Sequence, residues 1–217
     1  MTITESHICT SQTIRISNHN ASFDDDTYGV DLIGAIHTLL QGYSGGISIV
    51  RELAQNADDA PGEDERWLEF RFLPDKLVVR NSSQFREKDF QRIKRVASGQ
   101  KIFDEHKTTG AFGVGFVSVY QLTDTPILRS SGREMHFLPE QAKAPSAPCP
   151  IIDFTEFELP YRRECTPVGD RLGMDVITEA WVRNLIDTEI PREVPTLLFF
   201  QRKLQRIAVY ENDQLVL

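Results

Sequence analysis

From residue 48 to residue 59 the apolar side chains Val50, Leu53, Ala54 and Ala57 recur at the spacing of a helix that buries one face. Ser44-Gly45-Gly46 can cap its start, and Pro61-Gly62 stops it. Upstream, "VDLIGAIHTLL" has the same helical period. Downstream the period changes to two: "RWLEFRFL" sets Leu68, Phe70 and Phe72 on one side and Trp67, Glu69 and Arg71 on the other. Pro74-Asp75 turns the chain, and "KLVVRN" returns as the partner strand of a hairpin that closes at Asn81-Ser82-Ser83.

A helix follows over "EKDFQRIKRVA", carried by Phe90, Ile93, Val96 and Ala97 and stopped at Ser98-Gly99. After a polar loop, "GAFGVGFVSVYQLTD" opens on three glycines and becomes helical. Strand signals come next in "TPILRSSG" and "REMHFLP", with "QAKAPSAPCP" as a loop or flap. "MDVITEA" reads as a further strand, "PREVPTLLFF" as a short helix, and "LQRIAVYENDQLVL" as a hairpin round Glu211-Asn212-Asp213. This order predicts an α+β fold, a two-layer sandwich of a mixed, mostly antiparallel sheet with helices on one face. Residues 1–28, with one strand-like run "TIRIS", read as an N-terminal arm, and 29–217 as one domain cut from a longer chain.

Composition narrows the function. At 217 residues and 40% apolar content the chain can close a sizeable core. Cys9, Cys149 and Cys165 show no C-x-x-C pairing or metal spacing, so they read as reduced thiols in a cytoplasmic protein. No apolar run is long enough to span a membrane. A net charge of −8 disfavours direct nucleic-acid binding. The basic group Arg86, Lys88, Arg92, Lys94, Arg95 and Lys101 reads first as a solvated helix face.

Two features carry chemistry. On the first long helix, Glu52, Asn56 and Asp59 make a narrow stripe: Asn56 lies roughly 40° round from Glu52, and Asp59 about 20° to its other side. A solvated polar face would look the same in isolation. Gly110, Gly113 and Gly115 sit at the start of a helix, where bare backbone can approach a phosphate, although a tight turn would use them equally. Neither a P-loop nor a dinucleotide fingerprint is present.

In combination, "RELAQNADDA" and then "GAFGVGF" resemble the ATP-binding domain shared by gyrase B, heat-shock chaperones, histidine kinases and MutL, the GHKL or Bergerat fold. With "LVVRNSSQF" and "LLFFQRKLQRI", they are most similar to the sacsin-type branch, over residues 30 to 212. The resemblance implies that Glu52 is the general base, that Asn56 is a Mg²⁺ ligand, and that Asp59 lies near the ribose and metal side. It places Asn81 at the adenine amine, Ser98 and Lys101 at the phosphates with Lys107 as rival, and Phe112 over the pocket. Gly110, Gly113, Val114, Gly115 and Phe116 form the phosphate-wrapping segment. It also aligns "GMDVIT" with a strand that usually opens Gly-Thr, with Met174 in place of the hydroxyl.

The implied activity is slow, Mg²⁺-dependent ATP hydrolysis, ATP being the substrate and ADP the product. The nucleotide would hold a closed, dimer-competent state of lid and N-terminal arm that acts on a downstream domain or partner. The alternative is a module that senses ATP or ADP without turnover. Nothing around His7, His19, His37, His106 or His136 resembles a phosphoacceptor helix.

Overall fold

The computed structural model describes residues 31–60, 66–97 and 114–217. Helices α1 (Leu32–Leu40) and α2 (Ile47–Asp59) lead into the hairpin β1 (Arg66–Phe72) and β2 (Lys76–Asn81), followed by α3 (Glu87–Ala97). A 3-10 run, Val114–Gln121, precedes β3 (Ile127–Ser130), β4 (Arg133–His136), β5 (Ser146–Pro148) and β6 (Thr155–Pro160). The remainder is α4 (Pro167–Leu172), α5 (Glu179–Asn184), a π turn at Leu185–Glu189, α6 (Ile190–Phe200), β7 (Leu204–Glu211) and β8 (Gln214–Leu215).

The eight strands form one sheet in the order β5-β4-β3-β6-β2-β1-β7-β8. Every pairing is antiparallel except β1 with β7, which makes the sheet mixed. The fold is therefore the α+β sandwich that the periodicities indicate. Leu68, Phe70 and Phe72 point into the core, as the alternation requires, and Trp67, Glu69 and Arg71 point away. Val50, Leu53, Ala54 and Ala57 of α2 join them in the same apolar cluster, with Leu77, Val79, Phe157 and Leu159 of the neighbouring strands. The other sheet face is laced with ion pairs: Arg129 reaches Glu134, Glu156 and Glu158, while Lys76 and Arg80 reach Glu158 and Glu156.

Three segments differ from expectation. "MDVITEA" is no strand. Thr178 accepts from the N–H of Trp181 and caps α5, so the run divides into coil and helix. Pro167 opens α4 behind the Thr166 cap, a short helix with too few turns to show a period. "QAKAPSAPCP" contributes the edge strand β5, whose own Pro148 lies between Pro145 and Pro150. The helix read from "PREVPTLLFF" continues from the π turn, whose one-residue excess breaks the 3.6 period that would have joined α5 to α6. Arg86, Lys88 and Arg92 are exposed, in keeping with a solvated helix face. Cys149 and Cys165 are free thiols. No helix among the described residues is long and apolar enough to cross a membrane.

Candidate functional site

Helix α2 is fixed to the rest of the molecule along one flank. At its start, where Gly46 offers no side-chain cap, the Glu189 carboxylate accepts from the N–H of Ile47 at 3.1 Å. In the middle, Arg51 makes a two-pronged ion pair with Glu193 of α6, at 2.6 and 2.7 Å. At its end, buried Asp58 accepts from the N–H groups of Arg202, Lys203 and Leu204 at 3.2, 2.6 and 2.7 Å. Burial works against the Asp58 charge, but these three donors outweigh it and hold its carboxyl below the ordinary value. The sequence marks Asp58 only as one polar position beside Asp59, so this role is visible in the fold alone.

The other flank carries the predicted stripe. Glu52 is half-buried, and burial raises its carboxyl above the ordinary range, partly offset by a hydrogen bond donated by the Tyr43 hydroxyl. Burial and then the neighbouring Glu52 push Tyr43 up to about 12. Tyr43 lies in the turn between α1 and α2 and was not singled out in the sequence, where it shows no spacing to Glu52. Gly115 packs on the same carboxylate so closely that a Cβ there would overlap Glu52 Oε2 and come within 2.8 Å of its Cδ. Gln121 at the far end of the 3-10 run donates to Ser48 Oγ at 2.7 Å. With Gly115 at Glu52 and Gln121 at Ser48, the run lies antiparallel to α2 and enters from the Asn56 end.

Asn56 is 6% exposed, and its Nδ2 has no hydrogen-bond partner among the described residues. An unpaired amide nitrogen is uncommon in a packed interior, and as a donor it suits an acceptor rather than a cation; the buried hydroxyls of Ser118, Tyr120 and Tyr161 are unpaired among the described residues as well. Asp59 is half-buried and its Oδ2 accepts from Gln55 Nε2 at 2.9 Å, one turn back on α2. Phe116 places its ring in the core, 5.1 Å from Phe137 and 5.7 Å from Phe157, which leaves only its backbone for a ligand. Val114 begins the 3-10 run. Ser98, Lys101, Lys107, Gly110, Phe112 and Gly113 lie outside the described residues.

Asn81 ends β2, 3% exposed, and its Oδ1 accepts from both the N–H and the hydroxyl of Ser83, at 3.1 and 2.6 Å. Its acceptor capacity is thus drawn into the turn. The strand beside it is not "GMDVIT" but β6, in which Thr155 pairs directly with Asn81. The buried Thr155 hydroxyl lies 2.8 Å from that of Ser130, which accepts from the N–H of Phe85. Thr155, at the opening of β6, thus places a buried hydroxyl on the strand beside Asn81, whereas Met174 lies in the coil before α5.

Residues 64–149 match the Sacsin domain. The match covers the hairpin, α3, the glycine segment and strands β3 to β5, and it begins beyond α2. Sacsin of Homo sapiens is 33% identical over an alignment 229 positions long, gaps included, that takes in 84% of this chain. The chain spans about 5% of the length of that relative. Together they support a sacsin-type module. The domain match starts after α2, but an alignment that takes in 84% of the chain includes it, so Glu52 and Asn56 lie within the likeness to that relative, and their geometry adds Gly115 packed on a helix that holds a raised carboxyl and an unpaired amide nitrogen.

Proposed function

We propose that this sacsin-type module belongs to the GHKL ATPases, binds Mg²⁺-ATP between α2 and the glycine segment, and hydrolyses it slowly in the cytoplasm. One observation carries the reading. A half-buried Glu52 carboxylate packs against Gly115, and one turn along the same helix a buried Asn56 amide has bonding capacity to spare. Glu52 is the base that takes a proton from the water attacking the γ-phosphate. Its raised pKa keeps it closer to the optimum of a base acting near neutral pH. Tyr43, donating to Glu52, fixes the direction of that carboxylate. Gly115 lets the backbone that follows the phosphates pass without a side chain between.

Among the described residues no three of His, Cys, Asp and Glu gather as a metal cage. The Asn56 amide oxygen would hold Mg²⁺ together with phosphate oxygens, its unpaired Nδ2 would donate to a phosphate oxygen, and the ion would supply withdrawal of charge from the phosphoryl group. Nucleotide state would be reported by the glycine segment and N-terminal arm, in a closed form that pairs two copies and acts on a downstream domain or partner, as in chaperone-like remodelling or a defence-type effector. Titration calorimetry with Mg²⁺-ATP and a phosphate-release assay, run on the parent and on Glu52→Ala, test the reading. Binding by both and release by the parent alone supports it; equal release by both removes Glu52 as the base.

A second reading is a sensor that binds ATP or ADP without turnover. It draws on Asn81, whose Oδ1 is already engaged by Ser83, and on Tyr43, which occupies one lone pair of Glu52. Binding with no phosphate release at high protein concentration would favour it.

A further inference from the structure

At the end of the sheet away from Asn81, β1 and β7 finish side by side at Phe72 and Glu211. Between these strand ends and α5 lies a cleft of about 450 Å³, a size that suits a small molecule. Its depth is apolar: Phe72 and Ile186 are buried, and Leu73 and Val182 half-buried. Ile186 belongs to the π turn, a rare backbone form that recurs at functional sites. The rim is charged, with Arg163, Glu179 and Arg183 all exposed.

These charges are not equivalent. Arg183 makes a two-pronged ion pair with Glu211, at 2.6 and 3.0 Å, and a longer one with Asp187. Its charge is answered within the fold. Arg163 is held without being neutralised. Its Nη1 donates to the Ile177 carbonyl at 2.7 Å and its Nη2 to the Pro74 carbonyl at 2.6 Å, and its guanidinium lies 4.7 Å from the centre of the Tyr161 ring. Among the described residues it has no carboxylate partner, and its remaining N–H groups are uncommitted. Glu179 stands two residues beyond Ile177, and its carboxylate likewise forms no ion pair or hydrogen bond among the described residues. A cation already fixed by backbone carbonyls loses little freedom when an anion meets it.

We propose that the cleft binds a small zwitterion with an apolar side chain, an amino acid or dipeptide of the leucine kind. Its carboxylate meets Arg163, its ammonium meets Glu179, and its side chain covers Phe72 and Ile186. The two free charges select this chemistry. A fatty acid would leave Glu179 unanswered, and a simple amine would leave Arg163 so. A nucleotide would bring several negative charges to a rim whose free groups cancel. The site needs neither binding nor turnover of ATP.

The test is titration calorimetry of the full 217-residue chain with L-leucine and with leucyl-leucine, which separates the two sources. Saturable binding of one or both is expected, and N-acetylation or C-terminal amidation of the tighter ligand should weaken it roughly tenfold. Glu179→Gln, which breaks no side-chain bond within the fold, should weaken the free ligand by a similar factor and leave the N-acetylated form unaffected. Arg163→Gln should do the same with respect to the amidated form. Ala180→Trp, on the exposed rim, should block both ligands. Melting curves show whether each variant has folded, and the capped ligands need no variant. Absence of saturable binding of both ligands to the unaltered protein would overturn the proposal. So would equal binding of the capped forms, or undiminished binding to a folded Ala180→Trp protein.

Discussion

Six residues apart on α2, Glu52 and Asp58 show how one helix serves two purposes. Asp58 is saturated: three backbone donors satisfy it, its carboxyl is held low, and it ties α2 to the start of β7. Glu52 is left with one hydroxyl donor, a raised carboxyl and a glycine against its face. Arg51 and Glu189 belong to the first kind, with their hydrogen bonds made, and Asn56 belongs to the second. A polar group that holds a fold has its bonds made within the fold, whereas one that awaits a ligand keeps some in reserve.

The comparison can be broken or sharpened in order of effect. Glu52→Ala should lower phosphate release on the order of 10²- to 10⁴-fold and leave calorimetric Mg²⁺-ATP binding in place. Asp58→Ala should do the reverse in kind. It should lower stability by about 3 kcal/mol in urea denaturation, because three N–H groups lose a charged acceptor in a buried place. Gly115→Ala should cost about 1 to 3 kcal/mol by the same measurement, since its Cβ must displace the Glu52 carboxylate, and it should depress turnover as well.

Acid titration should separate the two carboxyls by sign. Glu52 holds its proton more tightly folded than unfolded, so its ionisation costs stability at neutral pH. That cost disappears as the pH falls through its raised value towards 4.5. Glu52→Gln should therefore melt higher than the parent at pH 7, with the advantage fading in acid. Asp58 contributes stability above 3.8 and loses it as the pH falls through its lowered value, so Asp58→Asn should melt lower at pH 7 with a deficit that shrinks in acid. The smallest effect is expected from Asn56→Leu, within about 1 kcal/mol of the parent in stability because its Nδ2 makes no bond to lose. The same variant should lose Mg²⁺-ATP binding.

Much of the framework was legible because its signals are local. The two-residue alternation of β1 and the turn after it define the hairpin to within a residue, and the stripe of Phe90 and Ile93 defines α3. The parallel pairing of β1 with β7 was not legible, because it joins residues about 140 positions apart that carry no mutual pattern. Short helices failed for a different reason. In α4 and α5 a capping threonine is the main cue, and "MDVIT" offers β-branched residues that suggest a strand. At the candidate site, Glu52 and Asn56 could be read from helical spacing, and Gly115 from its place before a helix. Tyr43 and Thr155 could not, since each reaches the site by a fold-made contact: a turn folded back on α2 and a register match to Asn81.

The prolines around β5 carry a last consequence. Pro148 within that strand has no N–H to give, and Pro145 and Pro150 flank it, so the terminus of the sheet opposite β7 cannot recruit a neighbour. That end of the sheet is thereby blunted against the edge-to-edge pairing from which aggregates grow.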